Sequence, residues 1–355
     1  MRPEDWGRLY ATERRKYLGL TPALELLFPK LMEKEEIPFA QIEGRTKDVP
    51  NFISKLRRKS YNDPLVEVTD FSGIRIVLFY LDDVERVGEM IQRNFALDED
   101  HSVDKRALMD PDRFGYQSVH HVVQLSPERA ALPEWSEFAD LSAEIQIRTV
   151  LQHAWGAISR KLAYASVREA PRDLQRSLNR LSALLELADE QFLDIRNARK
   201  EIEQQYDREV ERGNLDLAVD ESSLDIYLRE SGVADRITEV VEEAGSPTAP
   251  PLTEEEAHEE MRDLLTILDR LGITRIAELD ERVRSLWSKL PNFFSLVNQG
   301  FVEWEGGPLR AYHKNWLALA LLWDAEASPE DFQVVRYIDP LIHLIRATYD
   351  PDLAS

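Results

Sequence analysis

Strand patterns set among helical ones over the first half, and helical patterns alone after it, predict an α+β domain with a mixed sheet flanked by helices, followed by an all-helical C-terminal region. Three observations carry this expectation. Residues 116–125 and 141–147 alternate apolar and polar positions at period two, the mark of half-buried strands. β-Branched residues dominate Ile74-Arg75-Ile76-Val77. From Pro171 to about Arg212, Leu174, Leu178, Leu181, Leu185 and Leu187 recur near the helical period.

Taken in order, residues 20–34 carry Leu20, Leu24, Leu27 and Leu31 at helical spacing, and Pro38 marks the exit into an extended Phe39-Ala40-Gln41-Ile42 stretch. Asn51 to Lys59 reads as a helix, with Phe52, Ile53 and Leu56 apolar. Glu67–Asp70 and Ile74–Tyr80 read as strand on either side of a Ser72-Gly73 break. Asp82-Asp83 is expected to cap a helix through about Phe95, with a polar loop from Asp98 to Phe114. After Thr149 the pattern returns to helix through Tyr164. Gly245-Ser246-Pro247-Thr248-Ala249-Pro250-Pro251 reads as a linker, and residues 253–347 as successive helices. The expected divisions are a first domain at 1–165, a helical arm and connector at 166–244, a Pro-rich linker at 245–252 and a C-terminal domain at 253–355.

With 355 residues, 43% apolar content and seven Trp, the chain has enough material for two cores and is not of disordered composition. It contains no Cys, which removes disulfides and thiolate metal sites. Met1 to Arg15 is charged throughout, and no apolar run is long enough to span a bilayer, so a soluble, cytoplasmic protein without membrane partners is expected. A net charge of −22 argues against a broad nucleic-acid surface. Basic residues nonetheless cluster at Lys55, Arg57, Arg58 and Lys59, while Asp216–Asp225 and Glu254–Glu260 are acidic. A local anion site on an acidic protein suits a small polyanion such as ATP.

Four segments carry candidate chemistry: Arg45-Thr46-Lys47 with Lys55; Asp70-Phe71-Ser72-Gly73-Ile74-Arg75; Gly115-Tyr116-Gln117-Ser118-Val119-His120; and Glu144-Ile145-Gln146-Ile147-Arg148-Thr149. Arg45 and Lys47, two apart on an extended segment, face one side. Asp70 at a strand end suits a carboxylate ligand for Mg²⁺. Glu144, Gln146 and Arg148 alternate onto one strand face. Gly73 is read as allowing a tight backbone passage. Tyr116, freed by Gly115, can offer its ring to a base. Solvated charge, caps and surface ion pairs are the competing readings of the same residues. For Arg75 and Arg148 in particular, a salt bridge that orients Asp70 or Glu144 weighs about equally with phosphate contact.

In order and wording the four segments resemble the RelA/SpoT-type pyrophosphokinases, the alarmone synthetases, over roughly residues 15–165. The resemblance implies ATP binding by Arg45, Lys47, Lys55 and Arg75. It implies a Mg²⁺ cofactor on Asp70 and Glu144, Glu144 also serving as the base for an acceptor 3′-hydroxyl, and acceptor binding by Tyr116, His120 and Gln146. The implied activity is transfer of the β,γ-pyrophosphoryl group of ATP to GTP or GDP. Two departures stand out: the family places Lys-x-Asn or Lys-x-Ser before Gly-Tyr where this chain has Asp112, Arg113 and Phe114, and Ser where this chain has Asn51. No hydrolase or zinc module is expected, and the architecture also resembles toxic members, some of which pyrophosphorylate the 3′ end of tRNA. That acceptor, and a non-catalytic nucleotide-binding protein, are the alternatives. A homo-oligomer, a protein partner at the C-terminal region, and restraint of the first domain by residues 253–355 are further expectations.

Overall fold

The computed structural model describes residues 1–104, 118–162, 171–247, 249 and 252–325. It divides into two compact units at Asn197/Ala198.

The first unit opens with helix α1 (Pro3–Lys34), 32 residues long and starting well before the residue-20 onset that apolar spacing gives. Pro3 stands in its first turn, where a missing N–H costs nothing, and the Asp5 carboxylate accepts the Arg2 backbone N–H at 3.3 Å. Its buried face, Tyr10, Tyr17, Leu20, Leu24, Phe28 and Met32, packs on the sheet through both internal prolines, Pro22 and Pro29. Strand β1 (Phe39–Thr46) pairs antiparallel with β2 (Ser72–Leu78), which runs parallel to β5 (Ala143–Thr149). β5 pairs antiparallel with β4 (Val119–Leu125), and β4 with β3 (Phe95–Asp104), giving the order β1-β2-β5-β4-β3. The expected mixed sheet is therefore present.

Helices α2 (Val49–Arg58), α3 (Pro64–Glu67), α4 (Asp83–Asn94), α5 (Pro127–Ala130) and α6 (Val150–Lys161) connect or flank the strands, with a 3-10 turn at Ser136–Phe138. Helix α7 (Arg172–Glu211) follows. Ile74, Ile76 and Leu78 of β2 and Ala143, Ile145 and Ile147 of β5 fill the core with Phe28, Met90 and Ile91. The intervening residues of both strands are left on the opposite face.

Several local expectations need correction. The strand expected at Glu67–Asp70 is absent, since Glu67 closes a helical turn (Pro64–Glu67) capped by Asp63 and residues 68–70 lie in no strand, and Ser72 and Gly73 lie inside β2. Gly73 is no tight passage: a Cβ there would sit 3.7 Å from the Arg45 carbonyl oxygen and 3.9 Å from that of Glu144, ordinary contacts. Asp98–Asp104 belongs to β3, with a register shift between Asp98 and Val103, while residues 105–114 lie outside the described residues. Asp82 at the head of α4 makes no side-chain cap; it pairs with Arg196 of α7 at 2.5 Å, and buried Asp83 pairs with Arg86 at 2.7 Å.

The second unit contains the end of α7, α8 (Glu221–Glu230), α9 (Val233–Glu243), α10 (Glu254–Arg270), α11 (Ile276–Leu286), α12 (Leu290–Glu305) and α13 (His313–Asp324). Its core joins Leu224 and Tyr227 of α8, Ile237 of α9, Leu264 and Ile267 of α10, Leu279 of α11, Phe294 of α12 and Trp316 of α13. Asn315 to Leu322 is buried on every side of α13, as an apolar central helix must be. The divisions expected near 165 and at 245–252 thus differ from the structure: α8 and α9 share one core with α10 to α13. Ser246, inside the Pro-rich stretch, is buried and donates to Asn298 Oδ1 at 3.0 Å. Among the described residues no helix is long and apolar enough to cross a membrane.

Candidate active site

Sheet register assembles most of the site before any side chain is considered. Arg45, Gly73, Glu144 and Val122 are successive cross-strand partners on β1, β2, β5 and β4. Glu43, Arg75, Gln146 and His120 form the next row. Cross-strand partners share a face, so the charged residues of three sequence motifs come to one side of the sheet.

At the first edge, the Lys47 N–H donates to the Phe71 carbonyl at 2.9 Å. The Lys47 carbonyl accepts from Tyr10 Oη at 2.7 Å and from Arg14 Nε at 2.9 Å. Tyr10 stacks on Phe71 with ring centroids 4.5 Å apart and lies 4.9 Å from Phe52 of α2. This anchored backbone sends Lys47 Nζ to Asp70 Oδ2 at 2.5 Å, while Lys55 of α2 reaches Asp70 Oδ1 at 2.8 Å. Burial pushes the Asp70 carboxyl up, but hydrogen bonds and charge from both lysines outweigh it and hold the group below the ordinary carboxylate range.

At the other edge, Glu144 Oε1 takes hydrogen bonds from His120 Nδ1 and from Gln146 Nε2, the latter at 3.1 Å. His120 Nε2 meets Ser118 Oγ at 2.6 Å, and Gln146 Oε1 accepts from Arg148 Nη2 at 3.1 Å. With Nδ1 donating to the carboxylate, Nε2 is the ring atom left for the Ser118 hydroxyl. Burial raises the Glu144 pKa; the His120 bond and charge, helped by Gln146, bring the net shift below the ordinary value despite the opposing charge of Asp70.

Two adjoining cavities share Arg45, Lys47 and Asp70. One, of about 340 Å³, adds Glu43, Gly73, Ile74, Arg75, Glu144 and Gln146. The other, of about 530 Å³, adds Asn51, Lys55, Arg58 and Lys59, so every charged group in its wall except Asp70 is a cation. Polyanion contacts and carboxylate chemistry thus lie side by side.

The structure brings together Arg45, Lys47, Lys55, Asp70, Arg75, Glu144 and Gln146, with His120 bonded to Glu144. Arg75 orients neither Asp70 nor Glu144; its Nη1 pairs with Glu43 Oε2 at 2.8 Å along the sheet row. Arg148 reaches Gln146. Tyr116 lies outside the described residues. Trp155 is buried packing, and burial lowers the pKa of His121. Sequence reasoning assigned nothing to Tyr10, Arg14 or Ser118. Ser118 stands two residues before His120 in an extended segment, a spacing that could have flagged it; Tyr10 and Arg14 gave no signal.

Among the described residues no group of three or more His, Asp or Glu side chains forms a cage for a metal. Asp70 and Glu144 on one cavity wall nonetheless offer the oxygen donors that a magnesium ion would take.

Residues 44–169 match the family described as the region found in RelA and SpoT proteins. The chain is 32% identical over 180 residues to GTP pyrophosphokinase YjbM of Bacillus subtilis (strain 168), covering 50% of this chain and 81% of that protein. It is 24% identical over 204 residues to GTP pyrophosphokinase YwaC of the same organism, covering 54% and 91%. A solved structure of small alarmone synthetase 1 from Bacillus subtilis, bound to its product pppGpp, aligns at 26% identity over 54% of this chain and 98% of that one, with a TM-score of 0.45. The extent of the YjbM match, with the family region spanning the sheet rows just described, makes this chain a transferase of the RelA/SpoT pyrophosphokinase family, among its small alarmone synthetases.

Proposed function

We propose that the enzyme moves the β,γ-pyrophosphoryl group of ATP onto the 3′-hydroxyl of a guanosine nucleotide, GTP or GDP, releasing AMP. The observation that carries this reading is the shared wall: Asp70, clamped by Lys47 and Lys55, lines the same cavity as Glu144. In the reaction the 3′-oxygen bonds to the β-phosphorus, the bond from that phosphorus to the α,β-bridging oxygen breaks, and AMP carries the electron pair away. Glu144 takes the hydroxyl proton. Its depressed pKa keeps it ionised at neutral pH, and His120 fixes which oxygen is oriented. Lys47, Lys55 and Arg45 neutralise the triphosphate, with Arg58 and Lys59 extending the basic wall. Arg75, held by Glu43, borders that path. Asp70 and Glu144 would hold Mg²⁺, whose chemistry there is to withdraw charge from phosphate oxygens. Tyr116, with His120 and Gln146 beside the base, is assigned to the acceptor.

The replacement of the usual pre-Gly-Tyr residues by Asp112, Arg113 and Phe114 favours the 3′ end of tRNA as the second reading. Incubation with γ-labelled ATP and separate GTP, GDP, ATP and tRNA acceptors tests both. Label in GTP or GDP is the expected result; label in tRNA alone replaces the acceptor, and no transfer to any acceptor leaves a non-catalytic nucleotide-binding protein.

A further inference from the structure

The ion-pair clamp at the basic wall draws on three separate segments: Lys47 just beyond β1, Lys55 on α2 and Asp70 just before β2. One side chain that lines neither cavity touches all three. Tyr10, fully buried on α1, donates its hydroxyl to the Lys47 carbonyl at 2.7 Å. Its ring stacks on Phe71, the neighbour of Asp70, and packs against Phe52, three residues before Lys55.

Around that contact α1 runs a seam along the strand. Tyr10, Arg14, Thr21 and Glu25 stand four, seven and four residues apart, a spacing that keeps them on one helix face. Arg14 Nε donates to the same Lys47 carbonyl at 2.9 Å, so α1 supplies a donor for each lone pair of that oxygen. Thr21 Oγ1 accepts from Thr46 Oγ1 at 2.9 Å, and the Glu25 carboxylate accepts the Gly44 N–H at 2.9 Å. The close approach needs a glycine: a Cβ on Gly44 would lie 2.7 Å from Glu25 Oε2 and 3.0 Å from Thr21 Cγ2. Residues 44, 46 and 47 are thus tied to α1, while Arg45 and Lys47 send their side chains to the cavity.

A lysine on a loose backbone must be ordered when a polyanion arrives, and that ordering is subtracted from affinity. With its carbonyl held by two donors, the Lys47 peptide cannot turn without losing both. On the reading that this cavity takes the triphosphate of ATP, we propose that Tyr10, together with Arg14, is a positioning residue of the donor site: it touches no substrate and sets ATP affinity through the backbone of Lys47.

Titration calorimetry of ATP with Mg²⁺ onto the full chain tests it in a cycle of four proteins: parent, Tyr10→Phe, Lys47→Ala and the double variant. Tyr10→Phe keeps the ring against Phe71 and Phe52 and removes only the hydroxyl. It should weaken ATP binding about three- to tenfold. In the Lys47→Ala background the same change should alter binding by less than about twofold, because the residue it acts through is gone. Arg14→Ala, at a half-buried position, provides the same cycle where Tyr10→Phe does not fold. A Tyr10 that only stabilises the fold would lower the urea midpoint equally in both backgrounds and leave ATP affinity of the folded protein untouched. Unchanged affinity in Tyr10→Phe, or in Arg14→Ala as its substitute, while Lys47→Ala binds weakly, overturns the positioning role and leaves the donor reading standing. Losses that simply add in the double variant overturn it too. Lys47→Ala binding ATP as tightly as the parent removes the donor reading itself, and the proposal with it.

Discussion

Asp70 and Glu144 are both held below the ordinary carboxylate range, by different means: two lysine ammoniums on one, a histidine ring and an amide on the other. In its proposed role as base Glu144 acts only when ionised, so its lowered pKa should place the acid limb of the rate profile below the ordinary carboxylate range. Removing the ring with His120→Ala removes the main bond favouring the ionised form, so that limb should move to higher pH; a pH profile of kcat/KM checks it. Glu144→Gln should cost about a hundredfold or more in turnover, read in a labelled-ATP assay with the fold confirmed by circular dichroism. On the donor side, Lys55→Ala should raise the KM for ATP, and Arg45→Ala should also lower kcat; unchanged ATP dependence in both variants would return these cations to solvent.

Elements meet through a buried hydroxyl cluster that couples α1 to the first two strands. Thr21 Oγ1 lies 2.8 Å from Ser72 Oγ and accepts from Thr46 Oγ1 at 2.9 Å. Thr21→Val keeps the shape and strips Ser72 of this partner, so it should destabilise the first unit by about 1–3 kcal/mol, seen as a lower urea midpoint at unchanged slope. None of this is visible as a motif, whereas the strands that carry His120 and Glu144 are plain in the alternation of Val119–Leu125 and Ala143–Thr149. Helix α7 was equally plain, because its leucines repeat without interruption. The first half of α1 was not: before Leu20 its buried face rests on Gly7, Tyr10 and Tyr17 among charges. Strand β3 was missed because its outer half, Asp98 to Asp104, is polar on an edge. In the site, acids and cations could be named from the sequence, but partners could not: the Glu43–Arg75 pair follows from β1–β2 register, and the double clamp on Asp70 from packing of α2.

At the scale of the molecule, the second unit coheres across the Pro-rich stretch, so a chain ended near Gly245 would separate α8 and α9 from their partners on α10 to α13. Such a truncation should unfold the remnant whatever the C-terminal residues do to catalysis, and a restraint test is better made by ending the chain after α7. The unit also carries a pH sensitivity of its own. Burial raises the Glu260 carboxyl to about 7, against lowering by the Asn315 hydrogen bond and Lys314, while Asp263 and Glu256 add to the rise. A carboxyl with a raised folded pKa leaves stability intact below its unfolded value and removes it as pH climbs through the folded one. Thermal unfolding of this unit should therefore shift downward between about pH 5 and pH 8, and Glu260→Gln should flatten the change.

The clamp of Lys47 and Lys55 on Asp70 makes nucleotide capture an exchange of anions. On the proposed function, a triphosphate that engages these ammoniums would have to displace a carboxylate tethered beside them, an internal competitor for the donor. Asp70→Asn removes that competitor along with a carboxylate assigned to turnover in the proposed function, and affinity and catalysis should then part company: ATP bound as tightly as in the parent or more so by calorimetry, with product formation lost. On the proposed function, the same exchange would lower the apparent affinity for ATP by a constant factor, raising the nucleotide concentration at which the donor site is half filled.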